Sequence, residues 1–451
     1  MAELIPFVLN CFIIIWICQS GSSSGSDAKR YDDFKIFQVT PENEYQLELL
    51  RGLSDMHNSY DWVIFWQEPN TPGEHVNLMV APQDMNTLID ILHSHNINHQ
   101  LQIENVQRLI DSNQHRDGFN QRKRGEYNFE HYQNYDEILE FMTSLETLYD
   151  TGDPDGLHIS SFPIAETYEG RPITVLKLSA GESGYKPVIW MMGGIHAREW
   201  IGPATLMYIT RELAKDWYGG DVRDILQEFD WYILPVLNVD GYVYTWTTDR
   251  LWRKTRSIIK DPLTENTRGC LGVDPNRNWD YHWNEKGTSK NVCDDNYPGT
   301  KPFSETEVKQ IADFLTELNK HIPVVAFLDI HSYGQMWMSP FGYSDKKPDD
   351  FEKHMQLANR TTSALSNVHG TPYRTGNIAQ VIYKASGNSV DWAYSVLGVE
   401  YSYAVELPDE GSEGFLLLPE RITNVGEETY EAVKEMSKAL LDVKHQTKTK
   451  E

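Results

Sequence analysis

Four short apolar runs constrain the fold of this chain more than any other feature. They occupy residues 187–192, 231–237, 324–330 and 401–405, with helical patterns between them. A continuous apolar run of this length is typical of a strand that is buried on both faces. From about Tyr127 onward, the sequence therefore predicts an α/β domain built on a largely buried sheet.

Two helices can be placed between and after these runs. Ser304 and Glu307 have the spacing of a capping box, so one helix is predicted to begin at Ser304. A C-terminal helix is predicted over residues 427–444, with Val433 and Met436 on its buried face.

The first part of the chain follows a different order. It predicts strand, helix, strand, strand, helix and strand, the ferredoxin-like α+β plan. The strands are expected at 35–39, 62–66, 76–80 and 100–104, and the helices carry Leu47, Leu50 and Leu53 and then Leu88, Ile91 and Leu92. We expect a separate small domain over residues 28–105.

The extreme N-terminus has the features of a secretory signal peptide over residues 1–20. Residues 4–18 are almost wholly apolar and are followed by small residues, although Glu3 stands where a basic residue is usual. The apolar run is too short to span a membrane. The predicted location is therefore extracellular.

Cysteine usage agrees with secretion. Cys11 and Cys18 lie in the segment that would be removed, which leaves Cys270 and Cys293 as one pair. In an oxidising compartment these two are expected to form a disulfide.

The connector at residues 106–124 ends in a basic triplet. Its first part is polar and helical in pattern, and Arg122-Lys123-Arg124 follows. A basic triplet between two domains suits cleavage after Arg124 by a trypsin-like or dibasic-specific protease. A solvated charge run is the alternative, and the position between domains favours processing. Residues 125–451 would form the second domain.

The overall charge excludes one class of partner. The chain has a formal net charge of −26 and a pI near 4.9, whereas a nucleic-acid-binding protein needs a basic surface. We expect neither nucleic acid nor membrane as a partner. We expect the protein to be a monomer.

Candidate metal ligands lie where the predicted strands end. His196-Ala197-Arg198-Glu199 follows one apolar run and Gly193-Gly194, and His331 directly follows another. Two ligands from one segment and a third from a distant segment is a common pattern for catalytic zinc. A quartet of this kind also arises by chance as a solvated surface pair. Glu406 ends a third run, and a carboxylate at the end of a buried strand usually has a function.

These positions belong to a larger set of motifs that resembles the zinc metallocarboxypeptidases of the A/B family. The set also includes Leu251-Trp252-Arg253-Lys254, Val273-Asp274-Pro275-Asn276-Arg277-Asn278-Trp279 and Ile382-Tyr383-Lys384-Ala385-Ser386-Gly387. The resemblance extends from about Tyr127 to the C-terminus, and the preceding domain resembles the family's inhibitory pro-segment. It implies a mixed sheet with helices on both faces, and one Zn²⁺ per chain.

The resemblance implies a catalytic role for five residues. His196, Glu199 and His331 would hold zinc, which polarises the scissile carbonyl and acidifies a water molecule. Glu406 would act as the general base, and Arg253 would face the oxyanion that develops on the carbonyl. Without the family pattern, Arg253 is equally consistent with a solvated basic cluster.

The remaining site residues would bind the substrate, namely the C-terminus of a peptide or protein. Asn276 and Arg277 would clamp its free carboxylate, and Tyr383 would close over it. The subsites upstream of the bond would be lined by Arg198, Ser332 and Tyr333, and Asp274 would orient His196. Ordinary buried tyrosines and an Asx-turn loop at 276–278 are the alternatives.

Specificity is expected to depend on the residue before Asp391-Trp392, here Val390. Valine makes an apolar pocket floor, and Gly342, Ile378 and Ala385 match small or apolar pocket positions, which favours aliphatic and aromatic C-terminal residues (A-type). Asp329 occupies a position that resembles a pocket-wall Ser. If its carboxylate points into the pocket, a basic preference (B-type) is the alternative, whereas a bond to backbone would make it neutral. A non-catalytic peptide-binding protein is a further alternative.

Overall fold

The structure is a computed structural model that describes residues 28–57, 62–114, 127–149, 152–153, 155–181, 185–259 and 269–448. The predicted signal peptide and the cleavage site at Arg124 lie outside the described residues. Within these ranges, no helix combines the length and the apolar character that a membrane crossing requires. A disulfide joins Cys270 and Cys293, as predicted.

The N-terminal part folds around a four-stranded antiparallel sheet with the order β2-β3-β1-β4. Its elements are β1 (Lys35–Thr40), α1 (Glu44–His57), β2 (Val63–Phe65), β3 (Val76–Val80), α2 (Met85–Ser94) and β4 (Asn98–Ile103), followed by α3 (Val106–Gln114). Leu50, Leu78 and Leu88 are fully buried between the sheet and its helices. The predicted ferredoxin-like plan is confirmed.

The rest of the chain builds an eight-stranded mixed sheet with the order β11-β10-β12-β9-β7-β8-β6-β5. The strands are β5 (Leu157–Glu166), β6 (Pro172–Ala180), β7 (Val188–Gly193), β8 (Asp230–Leu234), β9 (Val324–Ser332), β10 (Met336–Ser339), β11 (Arg374–Asn377) and β12 (Tyr401–Leu407). The four central strands are those predicted from the apolar runs, and they pair in parallel. β8 ends before Pro235, because proline has no amide hydrogen for the ladder.

Nine helices of the described region accompany this sheet. They are α4 (Tyr135–Tyr149), α5 (Ile201–Gly219), α6 (Arg223–Glu228), α7 (Val239–Thr247), α8 (Thr306–His321), α9 (Phe351–His369), α10 (Ile378–Val381), α11 (Ser389–Ser395) and α12 (Ile422–Lys448). The C-terminal helix α12 is longer than predicted at both ends, and Val433 and Met436 are buried as expected.

The strand register places the candidate site at one edge of the sheet. Gly193 at the end of β7 pairs with Ile330 of β9, and Glu406 of β12 pairs with His331 of β9. Because parallel strands end at the same edge, the residues that follow them meet there.

The predicted capping box at Ser304 is wrong. The helix begins at Thr306, and the Ser304 hydroxyl accepts a hydrogen bond from Asn278 Nδ2 (2.9 Å). Glu307 is only 1% exposed, and its Oε1 accepts from the amide of Tyr168. Tertiary partners have therefore replaced the local bonds that a capping box requires.

Glu307 makes stability dependent on pH. Burial raises the pKa of its carboxyl from 4.5 to about 7. A raised carboxyl pKa contributes stability that is full below about pH 4.5 and is lost as pH rises through about 7. We expect Glu307→Gln to match the wild type near pH 4.5 and to exceed it by on the order of 3 kcal/mol near pH 8. Urea unfolding at both pH values tests this, and a difference that does not change with pH would contradict it.

Candidate metal centre and active site

Three buried side chains converge at the edge where β7 and β9 end. His196 Nδ1 lies 2.8 Å from Glu199 Oε1, and His331 Nδ1 lies 3.0 Å from Glu199 Oε2. One ligand atom from each residue lies within 4.8 Å of the others, and this is the one such group among the described residues. Two imidazoles and a carboxylate are a donor set that suits catalytic zinc, so these residues fit the metal.

The turn after β7 aims His196 and Glu199 at this point. Gly194 has a φ of 58°, and a Cβ there would lie 3.0 Å from Val236 Cα. Only glycine adopts this conformation without strain and tolerates so close an approach of backbone. The amide of Asn238 then bonds the Gly194 carbonyl, which holds the turn against the end of the neighbouring segment.

Asp274 supports His196 from the side away from the ligand cluster. Its Oδ1 lies 3.2 Å from His196 Nε2, and its Oδ2 accepts from Arg253 Nη2 at 2.8 Å. Burial alone would raise the pKa of Asp274, but the charges of Arg253 and Arg277 outweigh burial and hold it well below 3.8. Arg253 is 8% exposed, so it belongs to this buried network and not to a solvated basic face.

His331 has the same arrangement with a different carboxylate. Its Nε2 lies 3.0 Å from Asp329 Oδ2, and this oxygen also accepts from the Ser389 hydroxyl. Burial would lower the pKa of His331, but the charges of Asp329 and Glu199 outweigh that and raise it well above 6.5. The carboxylate of Asp329 is thus bonded to side chains, an arrangement that neither sequence alternative anticipated.

Glu406 lies beside the cluster with a carboxylate oxygen available for chemistry. Its Oε2 is buried and has no hydrogen-bond partner among the residues that the structure describes. Burial raises the pKa of Glu406 from 4.5 to about 8, although His331 and Arg253 pull it down. A cation held by the cluster would lower it further, because positive charge favours the carboxylate form.

Asn276 and Arg277 lie in one helical turn next to these residues. Asn276 Oδ1 accepts from the amide of Ser389 (2.9 Å), and Arg277 is held by the Gly287 carbonyl at its Nε (2.8 Å). The Asx turn considered from the sequence exists, but Asp274 makes it by accepting from the Asn276 amide. The guanidinium of Arg277 lies 5.7 Å from the ring centroid of Tyr383, so the predicted clamp and closing tyrosine are brought together.

Comparison with known proteins agrees with this geometry. Residues 149–432 match the sequence profile of the family described as zinc carboxypeptidase, and residues 37–113 match that of the carboxypeptidase activation peptide. The chain belongs to the zinc carboxypeptidase family. The resemblance seen in its motifs, its assignment as a hydrolase and the zinc cofactor are thereby confirmed, and its activation peptide makes it a zymogen.

Relatives of both specificity types are similar to this carboxypeptidase. Carboxypeptidase A2 of Rattus norvegicus is 40% identical over 413 residues, 90% of this chain and 94% of the relative. Carboxypeptidase B of Astacus astacus is 44% identical over 311 residues, 69% of this chain and 97% of the relative. The crystal structure of thrombin activatable fibrinolysis inhibitor has a TM-score of 0.80 at 32% identity, covering 91% of this chain and 99% of that one.

Three of the four predicted pocket residues of this carboxypeptidase are neighbours, and the fourth, Val390, is buried. Val390 is 1% exposed. A Cβ on Gly342 would lie 2.9 Å from the Ala385 carbonyl oxygen and 3.1 Å from Ile378 Cγ2, so these three residues are neighbours. The Asp391 carboxylate accepts from the amides of Gly342 and Tyr343, which fixes the loop.

The activation-peptide region contacts Tyr333, one of the residues predicted to line upstream subsites. Asn77 Nδ2 donates to the hydroxyl of Tyr333 (2.8 Å), and Trp66 packs against Tyr333 and Phe415. Arg198 lies under Phe415, with its guanidinium 4.2 Å from the ring centroid. Ser332 donates its amide to Glu199 Oε2.

Three contact residues were not identified from the sequence. Phe415 packs on Arg198, Asp295 forms an ion pair with Arg198 at 2.9 Å, and Ser389 holds Asp329. None of the three ends an apolar run, so strand-end reasoning could not find them. Ser389 directly precedes Val390, and that adjacency to the pocket residue was the available signal.

Proposed function

We propose that this zinc carboxypeptidase is a secreted zymogen that, once cut after Arg124, removes aliphatic and aromatic C-terminal residues. In this proposal residues 1–20 are a signal peptide, 28–105 the inhibitory domain, 106–124 the connector and 125–451 the catalytic domain. The buried apolar side chain of Val390, at the start of α11, carries the A-type assignment.

The proposed mechanism assigns the metal to His196, Glu199 and His331. When bound, zinc supplies a Lewis acid that polarises a carbonyl and increases the acidity of water. Glu406 takes a proton from water at its Oε2 and returns it to the leaving amine. Its raised pKa suits a group that must both accept and donate near neutral pH.

Binding and charge stabilisation belong to the residues around this centre. Arg253, held by two bonds to Asp274, presents a fixed positive charge where the oxyanion develops. Asn276 and Arg277 receive the substrate's terminal carboxylate, which restricts cleavage to the last peptide bond.

The side chains around Asp329 support the same specificity. Its Oδ2 faces three side chains, Ser389, Asn276 and His331, and the residue is fully buried. This engagement of Oδ2 opposes a role for Asp329 as the counter-charge for a substrate Lys or Arg, while its Oδ1 is buried without a hydrogen-bond partner among the described residues.

Paired substrates test the specificity. We expect the activated enzyme to hydrolyse a peptide ending in Phe with a kcat/KM about 100-fold above that for one ending in Arg, as in discrimination by an apolar pocket. Val390→Asp should shift the ratio toward Arg by about 10-fold or more, because it introduces a buried counter-charge. An Arg preference in the wild type would contradict the A-type assignment.

A further inference from the structure

The two histidines of the candidate metal centre are held in the same way from behind. In each, Nδ1 faces Glu199, and Nε2 faces a carboxylate. His196 has Asp274 at 3.2 Å, and His331 has Asp329 at 3.0 Å. If Nδ1 binds the metal it carries no hydrogen, so Nε2 must carry it and donate it to the carboxylate behind.

The surroundings of Asp329 favour its contact with His331 Nε2. It lies two residues before His331 on β9 and is 0% exposed, between Met192 of β7 and Ala404 of β12. A buried carboxylate has to be compensated by hydrogen bonds or charge. The compensation here comes from His331, the Ser389 hydroxyl and Asn276 Nδ2 (3.3 Å), all on one oxygen.

The same oxygen connects the metal ligand to the substrate-binding residues. Asn276, proposed to hold the substrate's carboxylate, reaches Asp329 with its amide nitrogen and the Ser389 amide with its oxygen. The Ser389 contact fixes the orientation of the Asn276 amide, so the nitrogen Nδ2 faces His331 as a donor. With His331 Nε2 protonated, the 3.1 Å separation of these two nitrogens joins two donors and is not a hydrogen bond. Ser389 is the first residue of α11 and precedes Val390, so the start of this helix is joined to the same carboxylate.

We propose that Asp329 is a positioning residue that orients His331 for metal binding and connects it to Asn276 and to Ser389 at the start of α11. The inference rests on the proposed roles of His331 and Asn276. It assigns Asp329 to the metal centre, whereas its sequence position suggested a pocket wall. The carboxylate fixes the ring orientation and tautomer of His331 and makes Nδ1 a stronger donor to the metal.

The test is zinc affinity of the full chain, measured by competition with a chromogenic chelator. Asp329→Ala should raise the zinc Kd by about 10- to 100-fold, the usual effect of losing such a partner. Asp329→Asn retains an acceptor oxygen for His331 but no charge, so we expect a smaller rise and partial rescue relative to Ala. The visible spectrum of the cobalt-substituted chain should change in Asp329→Ala, because the geometry of His331 changes.

Two further variants separate orientation from general disruption. Ser389→Ala removes a partner of Asp329 without touching His331, and its zinc Kd should stay within about threefold of wild type. Asp274→Asn should weaken zinc binding in parallel with Asp329→Asn, because it supports His196 in the same way. If Asp329→Ala does not fold, the comparison of Asp329→Asn with Ser389→Ala still decides.

Two results would overturn the inference. Zinc affinity unchanged in both Asp329 variants, or lowered as much by Ser389→Ala, would remove the positioning role. Failure of the wild-type chain to bind zinc would instead refute the proposed roles of His196, Glu199 and His331, so the two failures are distinguishable.

Discussion

Glu406→Gln is expected to lower kcat by about 10²- to 10⁴-fold, the contribution typical of a general acid–base group. The amide has the same shape but cannot take a proton from water. Zinc content should be unchanged, because Glu406 lies beside the ligand cluster without belonging to it. Turnover of a peptide substrate and metal analysis of the same sample measure both quantities.

A second buried glutamate provides the control. Glu428 lies on α12, is 3% exposed, accepts a hydrogen bond from Thr371 and is not one of the clustered metal-ligand candidates. Glu428→Gln should change kcat by less than about twofold, as expected of a residue outside the site. A Glu406→Gln enzyme that retains more than about a tenth of wild-type kcat would contradict the assignment of the base.

Replacing Arg122, Lys123 and Arg124 by Gln is expected to give a protein that stays latent after treatment with a trypsin-like protease. The wild type should gain on the order of 10²-fold in activity on the same treatment, because a tethered blocker acts at an effective concentration in the millimolar range. The contacts of Asn77 and Trp66 with Tyr333 place the N-terminal domain against a proposed substrate subsite. Release of a C-terminal residue, followed by mass spectrometry, measures the gain.

The control for latency replaces the triplet with the recognition sequence of an unrelated, sequence-specific protease. That variant should become active only with its own protease, which excludes damage by the substitution itself. Full activity of the uncut triple variant would show that the N-terminal domain does not inhibit.

Strand-level features could be predicted because they depend on local patterns. The apolar runs that correspond to β7, β9 and β12 also located the candidate ligands after β7 and in β9 and the candidate base in β12, since parallel strands end at a shared edge. The capping-box prediction was wrong because the hydrogen-bond partners of its two side chains are not local. Asn278 and Tyr168 donate hydrogen bonds to the side chains of Ser304 and Glu307. Both donors are distant in sequence, so no local pattern indicated them.

The role of Asp329 shows the same limit within the site. The sequence shows Asp329 two residues before His331, and in a strand this spacing puts both side chains on the same face. The spacing does not predict which other side chains contact them. The bonds to Ser389 and Asn276 join segments 60 and 53 residues away. The contact of Asn77 with Tyr333 spans 256 residues and depends on how two domains dock.

The pairing of Glu406 with His331 across β12 and β9 separates two kinds of change that selection can make in this enzyme. The spacing of Glu406, the proposed proton acceptor, and His331 is set by backbone hydrogen bonds of the sheet, which do not depend on the surrounding side chains. Val390, the proposed determinant of substrate choice, is the second residue of α11 and lies outside that ladder. Under the proposed roles, a substitution at Val390 would change the preferred C-terminal residue without changing the spacing of Glu406 and His331.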